Sequence, residues 1–150
     1  MKNKKEVSER SFNPSQLSGF DGMHSIQLPV DFIHDLSKAD SLQAALDIIA
    51  YWISHVFDAD RASITLQDTD EYLKLYSISG NHAMPMDFKI PIGQTFVGRV
   101  FAQSQLIICD DLAQSDELDC QMLAEHGMGS CMDAPMIHNG VCIGTLNVAD

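Results

Sequence analysis

The sequence predicts an α+β fold, an antiparallel sheet of about six strands with helices packed on its faces. Three observations carry that prediction. Residues 41–57 place Leu42, Ala45, Leu46, Ile49, Ile53, Val56 and Phe57 at helical spacing, one apolar stripe suited to packing on a sheet. Residues 61–67 alternate instead, with Ala62, Ile64 and Leu66 on one face. Near the end, His138-Asn139-Gly140 separates two further apolar runs, and Asn-Gly is the preferred two-residue hairpin turn because both positions need positive φ.

The elements follow in order. Residues 1–26 are polar with few large apolar groups, and are expected to form a flexible arm ahead of a domain over 27–150. Val30, Ile33 and Leu36 mark a short helix over 30–36. Asp40 is the expected cap of the helix over 41–57, with Gln43 three residues later as a capping box requires. Strands over 61–67 and 72–79 join through Asp68-Thr69-Asp70-Glu71, and Ser79-Gly80-Asn81 ends the second. A third strand is expected at 88–92. Phe96, Val97, Val100 and Phe101 share one side of a short helix over 94–103, and a brief strand follows at 106–109. Residues 116–126 read as a helix with Leu118, Met122 and Leu123 inward, ended by Gly127. Strands over 132–137 and 141–149 close the chain as a hairpin.

Bulk properties exclude several functions. One hundred and fifty residues is the size of one domain. The net charge of −12 is uneven: residues 11–150 hold five basic and nineteen acidic groups, a balance of −14. Such a body repels phosphate backbones and anionic membrane surfaces, so direct binding to nucleic acid or membrane is not expected. The richest apolar run, residues 44–57, holds Asp47 and His55 and is too short to span a bilayer. The N-terminal lysines lead into no apolar stretch of the kind a signal peptide needs. A cytoplasmic protein with reduced thiols is the expectation.

The last third carries the most specific pattern. It contains Ile90-Pro91-Ile92-Gly93-Gln94, Gly98-Arg99-Val100-Phe101-Ala102, Asp111-Leu112, Ala134-Pro135 and Gly144-Thr145-Leu146-Asn147-Val148-Ala149. With Ala59-Asp60-Arg61-Ala62-Ser63-Ile64 and Ser79-Gly80 upstream, this order resembles a GAF domain, a small-molecule sensing module related in style to PAS, over residues 28–150. The resemblance implies a ligand pocket between the sheet and the helices on one face, walled by residues 96–101, 116–126 and 128–135. Its candidate contacts are Phe96, Arg99, Cys120, Leu123, Met128 and Cys131. Arg99 is the only Lys or Arg between Lys89 and Asp150, and is expected either to pair Asp110 or Asp111 or to meet an anionic ligand.

The resemblance also implies a likely homodimer partner and a place ahead of an output domain such as a diguanylate or adenylate cyclase, a histidine kinase or a transcription activator. The C-terminal helix usual in the family is absent from the sequence, which ends with the last strand. The cofactor is unknown, and the partner an unknown small molecule. Gly98 and Gly144, inside a helix and a strand, mark close backbone packing or a ligand's approach.

Chemistry is thinly represented. Cys109, Cys120, Cys131 and Cys142 recur every eleven residues without the close C-x-x-C pairs of zinc sites, and read as small buried hydrophobes sharing no common face. No metal or catalytic residue is assigned. His126 adjoins the expected pocket and is the best-placed histidine for haem or iron, against an ordinary helix-terminal role. One GAF branch, the free methionine-(R)-sulfoxide reductases, uses cysteines where this chain has Phe88 or Lys89 and Val97; only Cys120 falls near a third. The bilin-binding branch needs Cys-His where this chain has Leu118-Asp119. The cyclic-nucleotide branch needs an Asn-Lys pair whose Asn place holds Asp150, and a further element lying past it. The expected function is therefore a non-catalytic sensory domain, with a sulfoxide reductase and a ligand-free dimerisation module as alternatives.

Overall fold

The computed structural model describes residues 8–13 and 27–150. Seven strands and four helices follow one another along the chain: β1 (Glu9–Phe12), α1 (Val30–Ser37), α2 (Leu42–Val56), β2 (Arg61–Gln67), β3 (Tyr72–Gly80), β4 (Lys89–Pro91), α3 (Phe96–Gln103), β5 (Leu106–Cys109), α4 (Leu118–Glu125), β6 (Cys131–His138) and β7 (Val141–Ala149). The strands form one antiparallel sheet in the order β1-β5-β6-β7-β2-β3-β4. Helices α1 and α2 lie on one face, and α3 and α4 on the other.

The seventh strand is β1, inside the segment expected to be a flexible arm. Glu9 to Phe12 pair with Cys109 to Leu106 on the sheet edge. Arg10 adds an ion pair to Asp110 at 3.0 Å. The remainder of that arm, His24 included, lies outside the described residues.

Local chemistry sets the other boundaries. Ser41, not Asp40, caps α2: its hydroxyl accepts from the Ala44 N–H at 3.0 Å, while the Gln43 amide donates to Tyr76 O and Asp47 Oδ1. The ends of the expected stripe, Leu42 and Phe57, are exposed, and α2 packs through Leu46, Ala50 and Ile49 on Ile64 and Leu66. Helix α1 turns Phe32 inward rather than Val30 and Ile33, because Phe32 meets the Trp52 ring and Asp35 accepts from Trp52 Nε1 at 2.9 Å. Pro91 ends β4, a 3₁₀ turn covers Ile92–Gln94, and Thr95 Oγ1 caps α3 by accepting from Gly98 N at 3.0 Å.

Asn139 and Gly140 both have positive φ (50° and 78°), as their hairpin turn requires. A Cβ on Gly98 would stand 2.1 Å from the Ile92 carbonyl oxygen, and one on Gly144 2.1 Å from that of Thr65. Both glycines therefore serve backbone close packing.

Helix α4 is rotated from its expected face. Leu118 is exposed, and Asp119, Cys120 and Leu123 point inward. Hydrophobic spacing over one short helix does not reveal a carboxylate that has a buried partner, and Asp119 has one.

Candidate functional site

The sheet face under α3 and α4 has an unusual centre. Arg61, Ser63 and Thr65 alternate along β2 with Ala62, Ile64 and Leu66, so they point away from α2. In the sequence pattern that direction is solvent; in the fold the second helical layer covers it, and all three are buried. Their neighbours continue the polar row. Ser63 pairs across the ladder with Asn147, and Asn147 with Asp133; Thr65 pairs with Thr145, whose hydroxyls are 2.6 Å apart. Arg61 lies one register step away, opposite Ala149.

These residues line a cavity with Leu75, Met84 and Ile90 at one side and Val97, Asp119, Leu123 and Cys131 at another. Its volume is about 20 Å³, room for roughly one water molecule. Ala83 and Met84, buried in the β3–β4 connection, close over it.

Hydrogen bonding around the cavity is incomplete. Arg61 is only 2% exposed. Its Nη1 donates to the Asn81 carbonyl, while Nη2 has no partner among the described residues. Asn147 donates to Ser63 Oγ at 3.2 Å, and its Oδ1 is unpartnered. Asp133, 5% exposed, makes neither a hydrogen bond nor an ion pair among the described residues. Burial, then the charge of Asp119, raises the Asp133 carboxyl well above the usual carboxylate range, against the pull of Arg61. Burial lowers Arg61 from its ordinary value, and Asp133 opposes that shift.

Asp119 is differently placed. Its two oxygens accept from Phe96 N at 2.8 Å and Val97 N at 2.9 Å, the first N–H groups of α3. Burial raises its carboxyl, and those two bonds hold it back. With Thr95 on Gly98 N, the start of α3 is fully satisfied from within. An anion reaching this cavity therefore meets Arg61 rather than a free helix terminus.

The residues singled out from the sequence divide three ways. Leu123 and Cys131 line the cavity. Phe96, Cys120 and Met128 pack in the adjoining apolar cluster with both of them. Arg99 is directed elsewhere: it bonds bidentately to Glu9 at 2.8 Å and 2.8 Å and to Glu117 at 2.6 Å, above the Phe96 ring. Neither Asp110 nor Asp111 is its partner, because β1 brings Glu9 alongside. These bonds raise Arg99 further above its ordinary value.

Cys109, Cys120 and Cys131 do share a face, contrary to the spacing argument. Cys109 and Cys131 are cross-strand partners, and Cys120 comes down from α4 into the same cluster. Contact with Cys120, then burial, raises the Cys131 thiol well above the usual value, and burial pushes Cys109 up to about 11. Cys142 stands apart in β7. Among the described residues no group of three or more His, Cys, Asp or Glu is arranged to hold a metal ion. His126 is exposed at the end of α4, its Nδ1 2.8 Å from the Met122 carbonyl, and does not line the cavity.

Sequence reasoning missed Arg61, Asp133, Asn147 and Asp119. The available signal was the pairing of two alternating polar sets, Arg61-Ser63-Thr65 and Thr145-Asn147, on strands that a helix covers on both sides.

With this geometry in hand, comparison with known proteins fixes the class. A family model described as the GAF domain matches residues 41–150, and the chain belongs to that family. No curated protein gives a significant match. Among solved structures, the chain is similar to the GAF domain of an Acinetobacter phosphoenolpyruvate-protein phosphotransferase, at 17% identity and TM-score 0.67, covering 80% of this chain and 72% of that one. The GAF domain of the corresponding Coxiella burnetii protein gives 19% identity and TM-score 0.69, covering 80% and 73%. A free methionine-R-sulfoxide reductase from Neisseria meningitidis, in complex with its substrate, gives 21% identity and TM-score 0.66, covering 85% and 81%. At these identities the likeness is one of fold. Among the described residues no helix is long and apolar enough to cross a membrane.

Proposed function

We propose that this chain is a non-catalytic sensory GAF domain that binds a small polar molecule in the cavity between β2, β6, β7 and α4. The observation that carries the reading is Arg61: a buried guanidinium with an unpartnered nitrogen at the cavity costs stability unless something fills it. The same orphaned groups speak against a ligand-free dimerisation module, for which a cavity closed by apolar side chains would suffice. The domain acts within a larger cytoplasmic signalling protein, with a cyclase or histidine kinase among the outputs that fit the family. Ligand occupancy shifts the population of its conformations. Four free cysteines accord with a reducing compartment. Exposed Val30 and Ile33 on α1 offer an apolar surface for a second copy.

The test is calorimetry of the purified chain against a small-metabolite panel, repeated with Arg61→Met. Binding that the variant loses supports the reading. A ligand that binds equally well to both proteins rejects the site.

The reductase reading retains one favourable observation, the Cys120 and Cys131 thiols beside the cavity. Against it, the raised Cys131 thiol is a poor source of the thiolate that attack requires. Turnover of free methionine sulfoxide with a thiol reductant, abolished by Cys120→Ser, would establish catalysis; no turnover is expected.

A further inference from the structure

The unpartnered groups around the cavity are of opposite chemistry. Arg61 Nη2 offers a charged donor. Asn147 Oδ1 offers an acceptor, and the Asp133 carboxyl lies beside it in the next strand of the same register row. Asp119 also faces the cavity, yet its oxygens are committed to Phe96 and Val97. An anion alone would satisfy Arg61 and leave Asn147 Oδ1 and Asp133 facing negative charge. A cation alone would satisfy those two and leave Arg61 buried without a partner. Each unfilled group carries a desolvation cost of about 1–3 kcal/mol, more where it is charged.

We propose that the ligand is a small zwitterion of the α-amino-acid type, its carboxylate on Arg61 and its ammonium group on Asn147 Oδ1 and Asp133. This rests on the reading of the cavity as a ligand site and narrows the ligand to one class. Register supports the charge separation: Arg61 and Asn147 are diagonal neighbours on adjacent strands, about 7–8 Å apart at the backbone, so their side chains converge on one small molecule. Volume sets the side chain. The closed cavity of about 20 Å³ admits little beyond the smallest members of the class, and growth is possible only toward Leu75, Met84 and Ile90. That wall is apolar, and Met84 is its adaptable part because an unbranched thioether repacks readily. A hydrogen or methyl side chain fits this wall, whereas a charged one would be buried without a partner.

The experiment is calorimetry and thermal denaturation of the chain with glycine, L-alanine, acetate and methylammonium, each to high millimolar concentration, in wild type, Arg61→Met and Asn147→Leu. Circular dichroism establishes that each variant is folded. The proposal expects glycine and L-alanine to bind at least about tenfold more tightly than either half-molecule, the equivalent of about one hydrogen-bonded charge. Arg61→Met should lose binding of glycine and of acetate. Asn147→Leu should lose glycine and leave acetate as weak as before. Acetate binding as tightly as glycine, with dependence on Arg61, would overturn the zwitterion and leave the ligand site standing. Glycine binding unaffected by Arg61→Met would overturn both, as would no binding by any of the four probes together with an Arg61→Met protein more stable than wild type.

Discussion

Arg61 and Arg99 both project from elements that frame the second face of the sheet, and they have opposite surroundings. Arg99 is about a third exposed and has two carboxylates bonded to one guanidinium. Arg61 is buried, has one carbonyl, and leaves a nitrogen without a partner. A surface cation with two partners is a fastening; its charge is already neutralised and screened by solvent. A buried cation with an open valence is a receptor, since water no longer solvates it and a fitting anion gains the whole of what was missing. The comparison also explains why Asp119, although near, does not neutralise Arg61: the backbone of α3 holds both its oxygens.

The contrast breaks most readily at the arginines themselves. Arg61→Met should weaken glycine binding by about 2–5 kcal/mol, the usual loss on truncating one member of a buried charged pair, while Arg99→Met should change it less than about threefold. Equal losses in calorimetry would erase the distinction. Next in size is Asp119→Ala, which strips the acceptor from two buried N–H groups and should lower unfolding free energy by about 2–3 kcal/mol in urea titrations.

Asp133 sharpens the comparison through pH. Its carboxyl binds a proton more tightly in the folded chain than in the unfolded one, because burial and Asp119 outweigh Arg61. The native state therefore holds more protons, and stability falls as pH rises from about 4, the ordinary carboxylate value, through the raised native one. Asp133→Asn should remove that fall, raising the melting temperature at pH 7.5 and changing it little at pH 4. A parallel decline in wild type and variant would show that Arg61 keeps Asp133 ionised. Arg99→Ala should have the smallest effect, about 1 kcal/mol and less at high salt. Faster amide exchange along Glu9–Phe12 would register the loosened edge strand.

What the sequence disclosed follows the range of the forces involved. Strands Arg61–Gln67 and Leu106–Cys109 and the Asn139-Gly140 hairpin were legible because alternation and turn chemistry act within a few residues. Strand β1 was not, since Glu-Arg-Ser-Phe becomes a strand only through β5, Arg99 and Asp110, about a hundred residues distant. The cavity was half legible. Leu123 and Cys131 came from family resemblance, whereas Arg61 and Asn147 looked like solvent-facing positions until a second layer of helices covered them. Asp119 was hidden for the same reason that Leu118 misled: one turn of helix shows which residues are apolar, not which polar residue has a backbone waiting for it.

The two rims of the sheet bear on how the molecule behaves in a crowd. At one rim, β4 is three residues long, begins with Lys89 and ends with Pro91, which has no N–H to offer a neighbouring strand. At the other, β1 is four residues long and carries Glu9 and Arg10. Neither rim presents a long, flat, apolar ladder. Strand-by-strand growth into fibrils is thereby discouraged at both ends, and the seven-stranded sheet can remain at high concentration without templating its own aggregation.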